Sequence, residues 1–142
     1  MGAGWLPRAP GSWGSLAAAG LAAPWFFAGH AIALVALAGA GSLIGAFVCA
    51  RLPEIAQDPS WVVIDEWAGI WCALALAAAL GASSFGAWLA AFVAFRVLDI
   101  AKPWPVSAAE RWGAPWWGVM ADDLVAGAIA GLMIGAGSPW LG

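Results

Sequence analysis

Five of the eight acidic residues sit inside or at the edge of strongly apolar stretches: Asp65 and Glu66 in WVVIDEWAGIW, Asp99 in FRVLDIAKPWP, Asp122 and Asp123 in VMADDLVAG. An uncompensated charge in hydrocarbon costs at least ~2.5 to 3.5 kcal/mol, so carboxylates kept there face a polar cavity, a partner or a metal. Arg96, Asp99 and Lys102 follow at i, i+3 and i+6 and span an arc of about 120° along one side of a helix. Carboxylate oxygens with a few cations beside them are the composition expected for Mg²⁺ and a phosphate. Such an ion takes oxygen ligands, offsets their repulsion and polarises a phosphoryl oxygen. Zinc fits poorly, because the single histidine, His30, is remote and Cys49 and Cys72 are scattered in apolar segments.

Each cluster also has a purely structural reading. Asp122 and Asp123 open the last apolar segment, where a carboxylate caps a helix and meets the positive end of its dipole. Arg96, Asp99 and Lys102 could form an internal salt-bridge ladder, though this leaves more carboxylates than neighbouring cations. Pro10-Gly-Ser12-Trp-Gly14-Ser15 reads as a turn before a helix, whose amides could hold a phosphate or whose serine could simply cap. His30 reads as an interfacial polar residue, and the cysteines as small buried hydrophobes.

Positioning these residues is the work of apolar helices. The 142 residues are 64% hydrophobic and 9% charged, where soluble domains are roughly 25% charged. The reading is an all-α, polytopic membrane bundle of four to five helices in one domain, residues 1–142, with its polar site at the cytoplasmic end. A net charge of −3 speaks against nucleic acid. A homo-oligomer is compatible with the composition without being specified by it. Arg8 and the apolar run after it imitate a signal peptide, but the turn formers and Trp13 between them favour mature protein.

Pro and Gly punctuation divides the chain into a short element over 15–27, spans over 32–50 and 61–80, a tight polar turn at 81–84, a return helix from 85 or 86 to 101, a Trp-rich connector over 102–120 and a last helix over 121–137. Alternating direction then brings the start of 61–80, the end of 86–101 and the start of 121–137 to one side, where the three charged clusters lie. Arg51, Lys102 and Arg111 flank that side and the turn at 81–85 has no cation, which makes it cytoplasmic. Gly127, Gly131 and Gly135 give the last helix one smooth packing face.

In order along the chain, GAGWLPRAPGSWGSL, DPSWVVIDEWAG, FRVLDIAKPWPV and GVMADDLVAG together resemble the phosphatidylglycerophosphatase A family, bacterial membrane enzymes that dephosphorylate phosphatidylglycerophosphate to phosphatidylglycerol. The resemblance implies Mg²⁺ dependence, a cytoplasmic-face site and functional roles for Asp65, Glu66, Asp99, Lys102, Asp122 and Asp123, with Arg96 and the Ser12 to Ser15 turn close by. Ser12 stands where the family commonly has Thr, and the chain begins almost at the first motif, so no role for a preceding extension is expected.

On this reading Asp65, Asp122 and Asp123, with Glu66, hold the metal. Asp99 is general base or covalent nucleophile, with Glu66 and Lys102 beside it in the catalytic group. Arg96, Lys102, Ser12, Gly14 and Ser15 bind the phosphate. The alternative is a small transporter or channel with an acidic intramembrane cluster, against which the purely apolar far halves of the helices offer no route across.

Overall fold

The computed structural model describes residues 10–51, 64–101, 103–109, 111 and 115–141, and side chains for 13–51, 66–101, 103–109, 111 and 120–140. Among the described residues all regular structure is helical: α1 (Pro10–Phe27), α2 (Ala31–Cys49), α3 (Ile64–Ala79), α4 (Phe85–Ala101), the short α5 (Val106–Ala109), α6 (Pro115–Ala136) and the short α7 (Ser138–Leu141). Of these, α2 is long and apolar enough to cross a membrane by length and composition, and Glu66–Ala79 is a shorter apolar helix.

Two glycines end helices at the turns. Gly29 (φ 71°) and Gly81 (φ 98°) adopt the left-handed conformation that residues with a Cβ resist. After α1, His30 N–H reaches Trp25 O at 2.8 Å and Gly29 N–H reaches Phe26 O at 3.0 Å; after α3, Ala82 N–H reaches Ala77 O at 2.9 Å and Gly81 N–H reaches Ala78 O at 3.0 Å. Both pairs are the six-to-one and five-to-two bonds of a Schellman cap. Ser84 then starts α4, its Oγ accepting from Ala87 N–H at 3.1 Å. Pro103 and Pro105 follow the end of α4, as expected.

The boundaries of α1 and α6 differ from expectation. α1 runs from Pro10 through Pro24, so the stretch 10–15 forms its first turns rather than a loop before it, and the break comes at Gly29. α6 starts at Pro115, six residues before the expected 121. Proline suits the first helical position, where its missing N–H has no partner to lose and its φ is already helical. Asp122 and Asp123 therefore lie roughly 11 Å along α6, at 1.5 Å per residue, and the capping reading is overturned.

Helix α3 is central, packing against α1, α2, α4 and α6. Its Trp71 donates through Nε1 to Ala18 O of α1 at 2.9 Å, and Trp88 of α4 donates to Ala19 O at 3.1 Å, so two indoles fasten α1 to the bundle. Gly69, Gly131 and Gly135 pack in register along α3 and α6: a Cβ on Gly131 would meet Ala73 O, and one on Gly135 the Leu80 side chain. Contacts that advance together on both helices make α3 and α6 parallel. Small residues let such backbones approach closely.

Candidate active site

Parallel packing places the beginning of α3 beside the early turns of α6, and Gly69 is where the fit is closest. A Cβ there would lie 2.7 Å from Asp123 O and 2.6 Å from Cε2 of Phe95 in α4. Only a hydrogen at this position lets three helices meet. Phe95 is fully buried, and Asp99, one turn further along α4, points into the same interior.

Three carboxylates converge as a result. Asp99, Asp122 and Asp123 each bring an oxygen within 4.8 Å of the other two. They are 9%, 4% and 2% exposed, so water does little to screen their repulsion. Adjacent residues on a helix point about 100° apart, yet both aspartates of α6 reach the group, with Asp122 Oδ1 accepting from the Asp123 N–H at 2.8 Å.

Arg96 stands beside this group. Its Nη1 donates to Asp99 Oδ2 at 2.5 Å, lies 3.7 Å from Glu66 Oε1 and donates to Ser15 Oγ at 3.5 Å. Ser15 is fully buried. One guanidinium thus joins α1, α3 and α4 at the level of the carboxylates. The structure brings together Asp99, Asp122, Asp123, Arg96, Glu66 and Ser15 of the expected site. Gly14 precedes Ser15 in α1 and is half-buried. Lys102 and the side chains of Ser12 and Asp65 lie outside the described residues.

The arrangement is compatible with a metal ion: carboxylate oxygens, buried, and gathered from two helices. Asp99 belongs to this oxygen cluster, whereas Glu66 approaches Arg96. Sequence reasoning missed Gly69 and Phe95 as the residues that set the spacing. An isolated glycine in a helix has no visible partner until the facing helix is known.

A family profile for phosphatidylglycerophosphatase A matches residues 1–137. The chain belongs to the phosphatidylglycerophosphatase A family. It is 36% identical over 148 residues to the phosphatidylglycerophosphatase A of Escherichia coli (strain K12), covering 99% of this chain and 81% of that protein. It is 32% identical over 152 residues to the protein of that name from Haemophilus influenzae, covering 99% and 86%. A Bacteroides thetaiotaomicron protein with the provisional name phosphatidylinositol-3-phosphatase is 34% identical over 143 residues, covering 94% and 86%. No solved structure matches. The carboxylate group and its arginine thus lie within the part of the chain that matches the family of phosphatidylglycerophosphatase A.

Proposed function

We propose that this chain is a Mg²⁺-dependent lipid phosphatase of the bacterial cytoplasmic membrane, hydrolysing phosphatidylglycerophosphate to phosphatidylglycerol and inorganic phosphate at the cytoplasmic surface. The observation that carries this reading is the buried Asp99, Asp122 and Asp123 group at one end of an apolar helical bundle in a chain of this family. Membership of the family argues against the transporter alternative.

Asp122 and Asp123 hold the metal, joined by Asp65 and Glu66 at the start of α3. Mg²⁺, when bound, neutralises the carboxylates and supplies Lewis-acid polarisation of the phosphoryl oxygens. Asp99 takes the proton of the attacking water as its oxygen bonds to phosphorus and the phosphorus–oxygen bond to the glycerol headgroup breaks; solvent protonates the departing alkoxide. In the covalent variant an Asp99 carboxylate oxygen bonds to phosphorus as the phosphorus–oxygen bond to the glycerol headgroup breaks and solvent protonates the departing alkoxide; water then cleaves the acyl phosphate, releasing inorganic phosphate and the Asp99 carboxylate. Arg96 orients Asp99 and, with Lys102 and the Ser12, Gly14 and Ser15 stretch of α1, contacts the phosphate oxygens. Alternation of α1 to α4 and the flanking Arg51, Lys102 and Arg111 support a multi-pass topology with this end cytoplasmic.

The test is phosphate release by purified protein in detergent micelles, with phosphatidylglycerophosphate and phosphatidylinositol 3-phosphate compared side by side. Release is expected from phosphatidylglycerophosphate, and only with Mg²⁺ or a similar hard cation. Full activity in excess chelator overturns the metal role. Faster release from the inositol lipid moves the substrate assignment to the headgroup named for the Bacteroides relative.

A further inference from the structure

The outer side of α4 carries a groove of about 410 Å³ lined by Phe92, Val93, Arg96, Val97, Ile100 and Ala101. Five of these six are apolar, and Val93, Val97 and Ile100 are 50%, 57% and 70% exposed. At about 100° per residue, Arg96 lies some 60° round the helix from Asp99, at the seam between the buried face (Ala91, Phe95, Asp99) and this open stripe. The residue that pairs with Asp99 and approaches Glu66 and Ser15 is therefore also part of the groove wall. Another long apolar face, on α2, lacks this continuity: α2 presents Ile32, Leu43 and Phe47, and has no charged residue along its length.

Phosphatidylglycerophosphate is an amphiphile whose terminal phosphate is joined to its acyl chains through a glycerol, a phosphodiester and a second glycerol. Its phosphate is complementary in charge to a guanidinium, and its chain to an aliphatic groove. We propose that the α4 groove holds an acyl chain of the lipid-phosphate substrate, with Arg96 on the wall between the groove and the carboxylate site. The proposal rests on the lipid-phosphatase reading and adds a chain subsite to it. Roughly 14 Å of helix, nine steps of about 1.5 Å, would contact the chain from Phe92 to Ala101.

The experiment is photocrosslinking with a phosphatidylglycerophosphate carrying a diazirine in one acyl chain, mapped by mass spectrometry in micelles, with phosphate release measured on the same samples. Adducts are expected to concentrate on residues 92–101, to fall when unlabelled phosphatidylglycerophosphate is added and to persist in equal phosphatidylcholine. Val97→Trp, at an outward position, is expected to remove those adducts and to raise KM about tenfold, as expected for the loss of about two buried methylenes, while Leu43→Trp on α2 changes neither. Adducts spread evenly over α2 and α4 and indifferent to competitor overturn the groove, as does an unchanged KM in Val97→Trp. Phosphate release with uncompeted adducts sinks the subsite and leaves the phosphatase reading standing. Competed adducts on α4 without phosphate release support the subsite and overturn the phosphatase reading instead.

Discussion

Gly69 and Gly127 face each other across α3 and α6 so closely that a Cβ on Gly127 would overlap the Gly69 carbonyl. The same Gly69 lies under the carbonyl of Asp123. The separation of the two helices, and with it the position of the α6 aspartates relative to Asp99, is thus held by the absence of two side chains.

Gly127→Ala should therefore be damaging although alanine favours helices. The added methyl must push α6 from α3, and overpacking of this kind costs about 1 to 3 kcal/mol. A shift of about 1 Å at catalytic groups can cost ~100-fold in rate, so turnover should fall more than stability. Gly20→Ala is the control: a Cβ there meets nothing within 4 Å, and the variant should be neutral or up to ~1 kcal/mol more stable. Phosphate release and thermal melting in the same detergent check both, and an active, stable Gly127→Ala protein would refute the spacing argument.

Asp123→Asn keeps shape and removes one of three mutually repelling charges. Without metal the variant should melt at a higher temperature than the parent. The parent should gain about 2.7 kcal/mol when Mg²⁺ reaches 100 times its dissociation constant, and the variant should lose most of that gain along with activity. Melting curves taken with and without Mg²⁺ distinguish this from a simple loss of fold, which would lower the metal-free melting temperature.

How much of this was readable beforehand varies from element to element for physical reasons. The limits of α2 and α4 follow from Gly29, Gly81, Ser84 and Pro103, whose effects are local. Convergence of Asp99 with Asp122 and Asp123 was legible because helices joined in alternation return charged ends to one side. The start of α6 was not: in APWWGVM the tryptophans suit a membrane boundary and a helix equally well, and Pro115 fits a connector as readily as a first helical turn. The role of Gly69 was hidden for a different reason, since close approach is a property of two helices and its partner lies 58 positions away. Ser15 was expected near the phosphate, but its burial against Arg96 depends on α1 beginning at Pro10.

Arg96→Gln should separate scaffolding from catalysis. It leaves Asp99 and Glu66 without their shared guanidinium, and breaking a buried pair costs about 3 kcal/mol or more. Arg96→Lys keeps the charge but not the planar fork, so it should recover much of the stability and less of the turnover. Adding Asp99→Asn to Arg96→Gln should restore stability through coupling in the double-mutant cycle, with activity still absent. Restored stability together with parental turnover would mean that the pair is a salt bridge and nothing more.

The topology carries its own test through the two ends of α4. Ser83 is exposed just before that helix and Trp104 is 81% exposed just after it. Seventeen residues at about 1.5 Å each separate them by roughly 25 Å, close to the ~30 Å of a hydrocarbon core. In a variant lacking Cys49 and Cys72, a thiol introduced by Trp104→Cys should react with an impermeant reagent from the cytoplasmic side, and one introduced by Ser83→Cys from the opposite side. Cys49 is buried and Cys72 half-buried, so conservative replacement of both should leave the helices packed. If both introduced thiols react from one side, α4 does not cross the bilayer. The carboxylates would then lie at a depth that the charge pattern of Arg51, Lys102 and Arg111 does not explain, and the assignment of the site to the cytoplasmic surface would fall.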